Sequence, residues 1–126
     1  MTQTTSHTGH CHCQAVSLTI SARPADLNVC NCSICTKNGG IWGYFNPAEV
    51  VIAGQTSGYV RRDMKTPYLT THFCPKCGVL THWSPLPNAP QNRMGINMRL
   101  FPAEATDGLE TRHHDGQSWA LDSDPQ

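Results

Sequence analysis

Apolar positions recur along this chain in short bursts with the period of a strand. Val16, Leu18 and Ile20 alternate with Ser17 and Thr19, so Ala15 to Ile20 reads as a half-buried strand. Val29 leads into a cysteine-rich stretch. Ile41 to Phe45 is a short aromatic strand, Pro47 opens a turn, and Glu49 to Ala53 forms another strand that Gly54 ends. Further strands are predicted over Ser57 to Arg62, Pro67 to Phe73 and Val79 to Trp83. Ser84 to Asn92 carries three prolines and reads as a surface loop. Met94 to Phe101 alternates again, and Pro102 to Thr106 has room for one helical turn. Leu109 to His114 makes a last strand before Gly116 turns the chain towards Trp119. Roughly eight short strands punctuated by Gly, Pro and Asn predict an all-β sheet assembly or sandwich, mainly β with little helix.

The chain has 126 residues, the length of one domain. Residues 1–8 lack periodicity and read as a loose N-terminal tail, with His7 and His10 solvated. The domain spans 9–120, and 121–126 form a C-terminal tail. Leu, Ile, Val and Phe together supply only 22 residues, so the apolar core is thin. Seven cysteines are the candidates for holding the chain together instead.

Charge and hydropathy exclude several classes of function. Nine basic residues balance nine acidic ones, which leaves no electrostatic footprint for nucleic acid. No apolar run approaches the ~20 residues needed to span a bilayer. The N-terminal MTQTTSHTGH has no Lys or Arg and no apolar stretch, so it is not read as a secretory signal. A cytoplasmic location is the expectation. In such a reducing compartment, clustered cysteines bind metal or do catalysis more often than they form disulfides.

The cysteines fall into spacings with geometric meaning. Cys11 and Cys13 are two apart, which in an extended chain puts both sulfurs on one face. Cys74-Pro75-Lys76-Cys77 followed by Gly78 has the shape of a zinc knuckle, Gly78 leaving the turn at positive φ. Together the two pairs supply the four thiolates of a closed, structural zinc site. Cys30, Cys32 and Cys35 lie within six residues and can share a second metal. Three ligands leave a fourth position for water or substrate, the arrangement of a catalytic zinc. Soft sulfur favours zinc over magnesium or calcium. Two alternatives stay open for this second cluster. Its cysteines can be free thiols, or His72, His82, His113 or His114 can complete a second closed site.

Three motifs carry a family resemblance. They are Gly9-His10-Cys11-His12-Cys13, then Cys30-Asn31-Cys32-Ser33-Ile34-Cys35-Thr36-Lys37, then Phe73-Cys74-Pro75-Lys76-Cys77-Gly78. Gly95 to Leu100 and His114 to Trp119 match the closing segment. The chain resembles the glutathione-dependent formaldehyde-activating enzyme family, which also contains centromere protein V-like domains. The resemblance implies an Mss4-like fold of short antiparallel sheets stapled by zinc, with two zinc ions per chain. Cys11, Cys13, Cys74 and Cys77 would hold the structural zinc; Cys30, Cys32 and Cys35 would hold the catalytic one. The implied activity joins formaldehyde to glutathione as S-(hydroxymethyl)glutathione, a carbon–sulfur lyase reaction run in reverse. Thr36 to Gly40 and His114 depart from the usual family pattern around the pocket.

Zinc with three thiolates carries a formal net charge of −1. Such an ion is a weak Lewis acid but accepts a fourth soft ligand, and an incoming thiol binds it as thiolate. Arg61, Arg62, Lys65, Lys37 and Arg99 are candidate partners for the carboxylates of glutathione. Trp42, Tyr44 and Phe45 are candidates for a pocket wall, at least one of them going to the core, and Asp115 for orienting a ligand. A non-enzymatic zinc module for protein interaction, and a redox or metal-handling protein, are the competing classes.

Overall fold

The computed structural model describes residues 6–116, so Trp119 and the 121–126 tail lie outside the described residues. Ten short strands form two sheets. They are β1 (His7–His10), β2 (Ser17–Ile20), β3 (Leu27–Cys30), β4 (Trp42–Phe45), β5 (Val50–Ala53), β6 (Ser57–Val60), β7 (Leu69–Phe73), β8 (Leu80–Pro85), β9 (Met94–Asn97) and β10 (Thr111–His114). One helix, α1 (Ser33–Asn38), follows β3, and 3₁₀ turns occupy Pro47–Glu49, Met98–Leu100 and Ala103–Ala105. The smaller sheet has the order β1-β2-β5 and the larger β10-β3-β4-β9-β8-β7-β6. All pairs are antiparallel except β10 beside β3. The expected mainly-β architecture with little helix is the one found. No helix among the described residues is long and apolar enough to cross a membrane.

Alternation in β2 sends Leu18 and Ile20 inward, both fully buried, and leaves Ser17 and Thr19 half-buried. Val16, Phe45, Met94, Ile96, Met98, Phe101 and Ala105 join them, together with Cys11 and Cys74. Two of the cysteine sulfurs are thus part of the core. β9 is buried along its whole length, between β4 and β8. A Cβ at Gly95 would sit 2.1 Å from the Trp83 indole nitrogen. Glycine there lets Trp83 lie against the β9 backbone.

Several boundaries differ from the sequence reading, each for a local reason. β1 begins at His7, inside the segment read as a tail, and His7 is buried. Its register with β2 runs from His7↔Ile20 to His10↔Ser17, so backbone pairing holds a strand that has no apolar alternation to announce it. β3 likewise lacks a clean pattern because its buried residue is Asn28, whose side chain donates to Asp26 and to the Trp42 carbonyl. The Met94 to Phe101 segment stops being strand at Asn97. The Asn97 side-chain oxygen accepts from the Arg99 N–H at 3.2 Å and starts a 3₁₀ turn. Pro85 belongs to β8, not to the following loop.

His72 and His82 face each other across β7 and β8, their rings stacked 4.3 Å apart. Both are bonded as neutral rings suit: His72 with Thr56 and Ser84, His82 with Thr81. Burial, then the neighbouring His72, pushes His82 down to about 4. Between pH 6.5 and about 4 the unfolded chain therefore takes up a proton that the folded chain refuses. Stability then falls with acidification by up to about 1.4 kcal/mol per pH unit from this residue. His82→Gln is expected to remove that increment, read as a flatter pH profile of urea unfolding of the metal-loaded protein.

Candidate metal centre

The first cluster is built by two matching turns, each placed directly after a strand. Cys11 follows β1; its N–H bonds to the Val16 carbonyl, and its own carbonyl receives the Gln14 N–H. Cys74 follows β7; its N–H bonds to the Val79 carbonyl and its carbonyl receives the Gly78 N–H. Gln14 and Gly78 occupy the same left-handed conformation, at φ 69° and 78°. Gly78 is the expected exit residue. Cys11 and Cys13, however, meet through this turn and not along an extended strand.

The four sulfurs of Cys11, Cys13, Cys74 and Cys77 lie within 4.8 Å of one another. Cys11 and Cys13 are 3.7 Å apart, Cys13 and Cys74 3.6 Å. Zn–S bonds of about 2.3 Å in a tetrahedron place sulfurs about 3.8 Å apart. The spacing fits a shared cation, and all seven cysteines are free thiols. Backbone N–H groups of Val16 and Lys76 point at the Cys11 and Cys74 sulfurs. The Cys13 and Val79 N–H groups pull Cys77 down to about 6. At Cys13 the Ala15 N–H favours the thiolate, but desolvation and the neighbouring sulfurs prevail and push it up to about 11. Such a cluster cannot hold four thiolates without a cation.

The second cluster sits where β3 ends and α1 begins. Cys30 is the last residue of β3, Cys32 is the N-cap of α1, and Cys35 lies in its first turn. Their sulfurs also lie within 4.8 Å of one another. Among the described residues no histidine joins either group, so the closed four-ligand alternative with His72, His82, His113 or His114 is not what the fold builds. His114 instead bonds to Asn28 at 2.7 Å. Hydrogen bonding from Cys35, then from its backbone and from Cys30, with the Arg61 charge, pulls Cys32 down to about 5. Cys35 is driven up by the same pairing with Cys32 and by burial, and Cys30 by burial first. Three sulfurs this close cannot all be thiolates without a cation beside them. The buried Trp42 indole N–H has no hydrogen-bond partner, yet it favours the charged form of Cys35. A Cys35 thiolate, as a bound cation requires, is the acceptor that this orphaned donor needs. The donor set and this N–H fit a soft metal.

A cavity of about 300 Å³ opens beside these three cysteines, walled by Trp42, Tyr44, Tyr68 and Trp83. Trp42 meets Trp83 edge-on at 6.3 Å, and Arg93 lies 4.1 Å over the Tyr44 ring. Phe45 turns into the core instead. A larger groove of about 940 Å³ adjoins it and is lined by Lys37, Arg61, Arg62 and Lys65. Arg99 lies elsewhere: it donates to the Gly39 carbonyl and pins the end of α1. Asp115 accepts from Asn31. Arg61 is shared with Asp63, and Ser33 bonds to both; neither Asp63 nor Ser33 stands out in the sequence. The Arg-x-Asp spacing is the one local signal that could have found this pair, and nothing in the sequence sets it against Ser33. Arg93 and Trp83 were also missed, because their loop and strand show no link to the cysteines in sequence.

The family model for the glutathione-dependent formaldehyde-activating enzyme matches residues 6–114. The chain belongs to that family. A crystal structure of a Rhodobacter sphaeroides protein, a Northeast Structural Genomics target, is similar with a TM-score of 0.62 and 22% sequence identity. The similarity covers 83% of this chain and 99% of that one, and it shows the shared fold. Membership in the glutathione-dependent formaldehyde-activating family gives the two cysteine clusters a common setting as candidate zinc sites, and glutathione and formaldehyde as the family's reactants. Cys74→Ser is expected to abolish folding, since a structural zinc contributes on the order of 10 kcal/mol in small zinc domains. Circular dichroism and a thermal melt check this; a cooperative melt near that of the unaltered protein overturns it.

Proposed function

We propose that this chain makes and breaks the carbon–sulfur bond of thiol adducts of small aldehydes, as an S-(hydroxymethyl)glutathione synthase-like lyase. Its thiol is glutathione or a close relative. In this reading Cys11, Cys13, Cys74 and Cys77 hold a structural zinc, and Cys30, Cys32 and Cys35 hold a catalytic one. The observation that carries it is the contrast between the clusters. One gathers four sulfurs around two core positions; the other gathers three beside an aromatic-walled cavity.

A zinc ion bound at the three thiols supplies a soft partner for an incoming sulfur and favours its thiolate form. The chain's own residues do the rest. Trp42, Tyr44 and Trp83 exclude water from a space suited to a small aldehyde. Lys37, Arg62 and Lys65, on the adjoining groove, offer cations to the carboxylates of a peptide thiol. In the forward direction a bond forms between the thiol sulfur and the aldehyde carbon, and the thiol's proton ends on the aldehyde oxygen. No electrons are exchanged, so no redox partner is required. Seven cysteines without a disulfide among them suit a reducing compartment such as the cytoplasm.

Cys32→Ser is expected to keep the fold while metal content drops from two ions per chain towards one, with loss of glutathione-dependent formaldehyde consumption. Metal analysis and an adduct assay by mass spectrometry read both. Full activity in this variant overturns the catalytic assignment. A wild-type chain that binds one metal only, and no thiol, favours the interaction-module class instead.

A further inference from the structure

Arg61 is more tightly held than a surface cation. Its Nε donates to Asp63 Oδ1 and its Nη2 to Asp63 Oδ2, both at 2.6 Å, a bidentate fork. The same Nη2 donates to Ser33 Oγ at 3.0 Å, and Ser33 Oγ donates to Asp63 Oδ2 at 2.6 Å. The side chains of Arg61 and Asp63 are 10% and 7% exposed. Three contacts thus fix the plane of the guanidinium from one side, and the Ser33–Asp63 bond ties the two acceptors to each other. What remains on the other edge is Nη1, 3.9 Å from the Cys32 sulfur. Arg61 also lines both the thiol cavity and the basic groove, standing where the two meet.

We propose that Asp63, Ser33 and Arg61 form an outer-shell relay that aims the Arg61 Nη1 edge at the Cys32 sulfur and so retains the metal at the three-cysteine site. Arg61 is a positioning residue in this role, acting through Cys32 and not on the substrate. The logic parallels a carboxylate that orients a metal-bound histidine: the carboxylate fixes the donor, and the donor steadies the ligand. The three-thiolate site needs such support more than the four-thiolate one. Its sulfurs come from a single short segment and face an open cavity, whereas the four-cysteine site is closed by two turns from distant parts of the chain. The relay further explains why Arg61 is a poor partner for substrate carboxylates, since its fork is filled by Asp63. This inference rests on the metal reading given above for Cys30, Cys32 and Cys35.

The test is metal retention, read without any substrate. Wild type, Arg61→Lys and the double variant Arg61→Met/Asp63→Asn are loaded with zinc and titrated with a chromogenic chelator. The double variant avoids leaving one buried charge alone, should the single change fail to fold. Cobalt replaces zinc in a parallel series, where sulfur-to-cobalt charge-transfer absorption reports thiolate ligation. Arg61→Lys keeps the charge but loses the fork. The expected result is a second, weaker metal whose affinity drops about 10–100-fold in both variants. The tighter metal and its cobalt bands stay unchanged. Two metals released as in wild type overturn the relay and leave the three-cysteine metal site standing. Parallel loss of both metals also overturns it, because the contacts then serve the fold as a whole. A wild-type chain that never binds a second metal removes the relay and the catalytic reading together.

Discussion

Four sulfurs from two turns, with Cys13 and Cys74 separated by 61 positions in sequence, gather within 4.8 Å of one another, and the two sheets meet where they do. One turn follows β1 of the three-stranded sheet and the other follows β7 of the seven-stranded sheet. Cys11 and Cys74 sit in the same buried cluster as Val16, Leu18, Ile96 and Phe101. A chain with so few large aliphatic residues gains from this cluster what burial alone supplies only weakly. The gain comes with a condition. Four thiolates at such spacing repel one another, and four thiols at that spacing leave weak donors and acceptors in the core. Only a cation would turn the arrangement from a cost into a bond, and with one bound there folding and metal capture would be one equilibrium.

The second cluster takes its place from the first. Fixing the start of β7's exit turn fixes β7 and β8, and these strands carry Leu69, Thr71, Trp83 and Pro85 to the cavity wall. β9 and β4 lie between them and β3, so Cys30 faces the cavity from the far side of the same sheet. Gly95 makes this geometry possible by letting Trp83 press on the β9 backbone. Arg99, bonded to the Gly39 carbonyl, holds the end of the helix that bears Cys32 and Cys35. The site is therefore assembled on regular structure, and its supports come from several elements.

Cysteine spacing was the most legible feature of the sequence. Soft ligands at two- and three-residue spacing imply convergence whatever the surrounding fold, and the partition into four and three follows from their order. Strands with apolar alternation, such as β2, were legible for the same kind of reason: the period is set by the residue types themselves. β1 was not, because His-Thr-Gly-His has no apolar face and is buried by pairing with β2 and by Gly9 packing under Phe101. α1 was hidden in the cysteine motif, whose short polar residues favour turns as much as helix. The Asp63–Arg61–Ser33 contacts were invisible because they join a loop to a helix 28 and 30 residues away, a distance that no local pattern encodes.

Under the proposed reading, the charges around the two cavities favour one way for a peptide thiol to bind. Three thiolates and one divalent cation would sum to −1, so a metal held there would attract no further carboxylate unless a cation stood beside it unpaired. Arg61 stands 3.9 Å from the Cys32 sulfur, and its fork is occupied by Asp63 and Ser33. Asp63's carboxyl is held well below the usual range, first by Arg61, so the pair stays ionised and neutral overall at any pH where the thiolates persist. Lys37 and Arg62 lie on the groove, exposed. Carboxylates would be drawn there; in the aromatic cavity Arg93 is stacked over the Tyr44 ring, and the rest of the wall suits sulfur and a small carbonyl group. The selection works by position. Soft, weakly hydrated atoms would favour the metal and the rings, while hard anions would favour the hydrated cations of the adjoining groove. A free arginine at position 61 with no Asp63 would blur that division, drawing a carboxylate to the place where the sulfur must go.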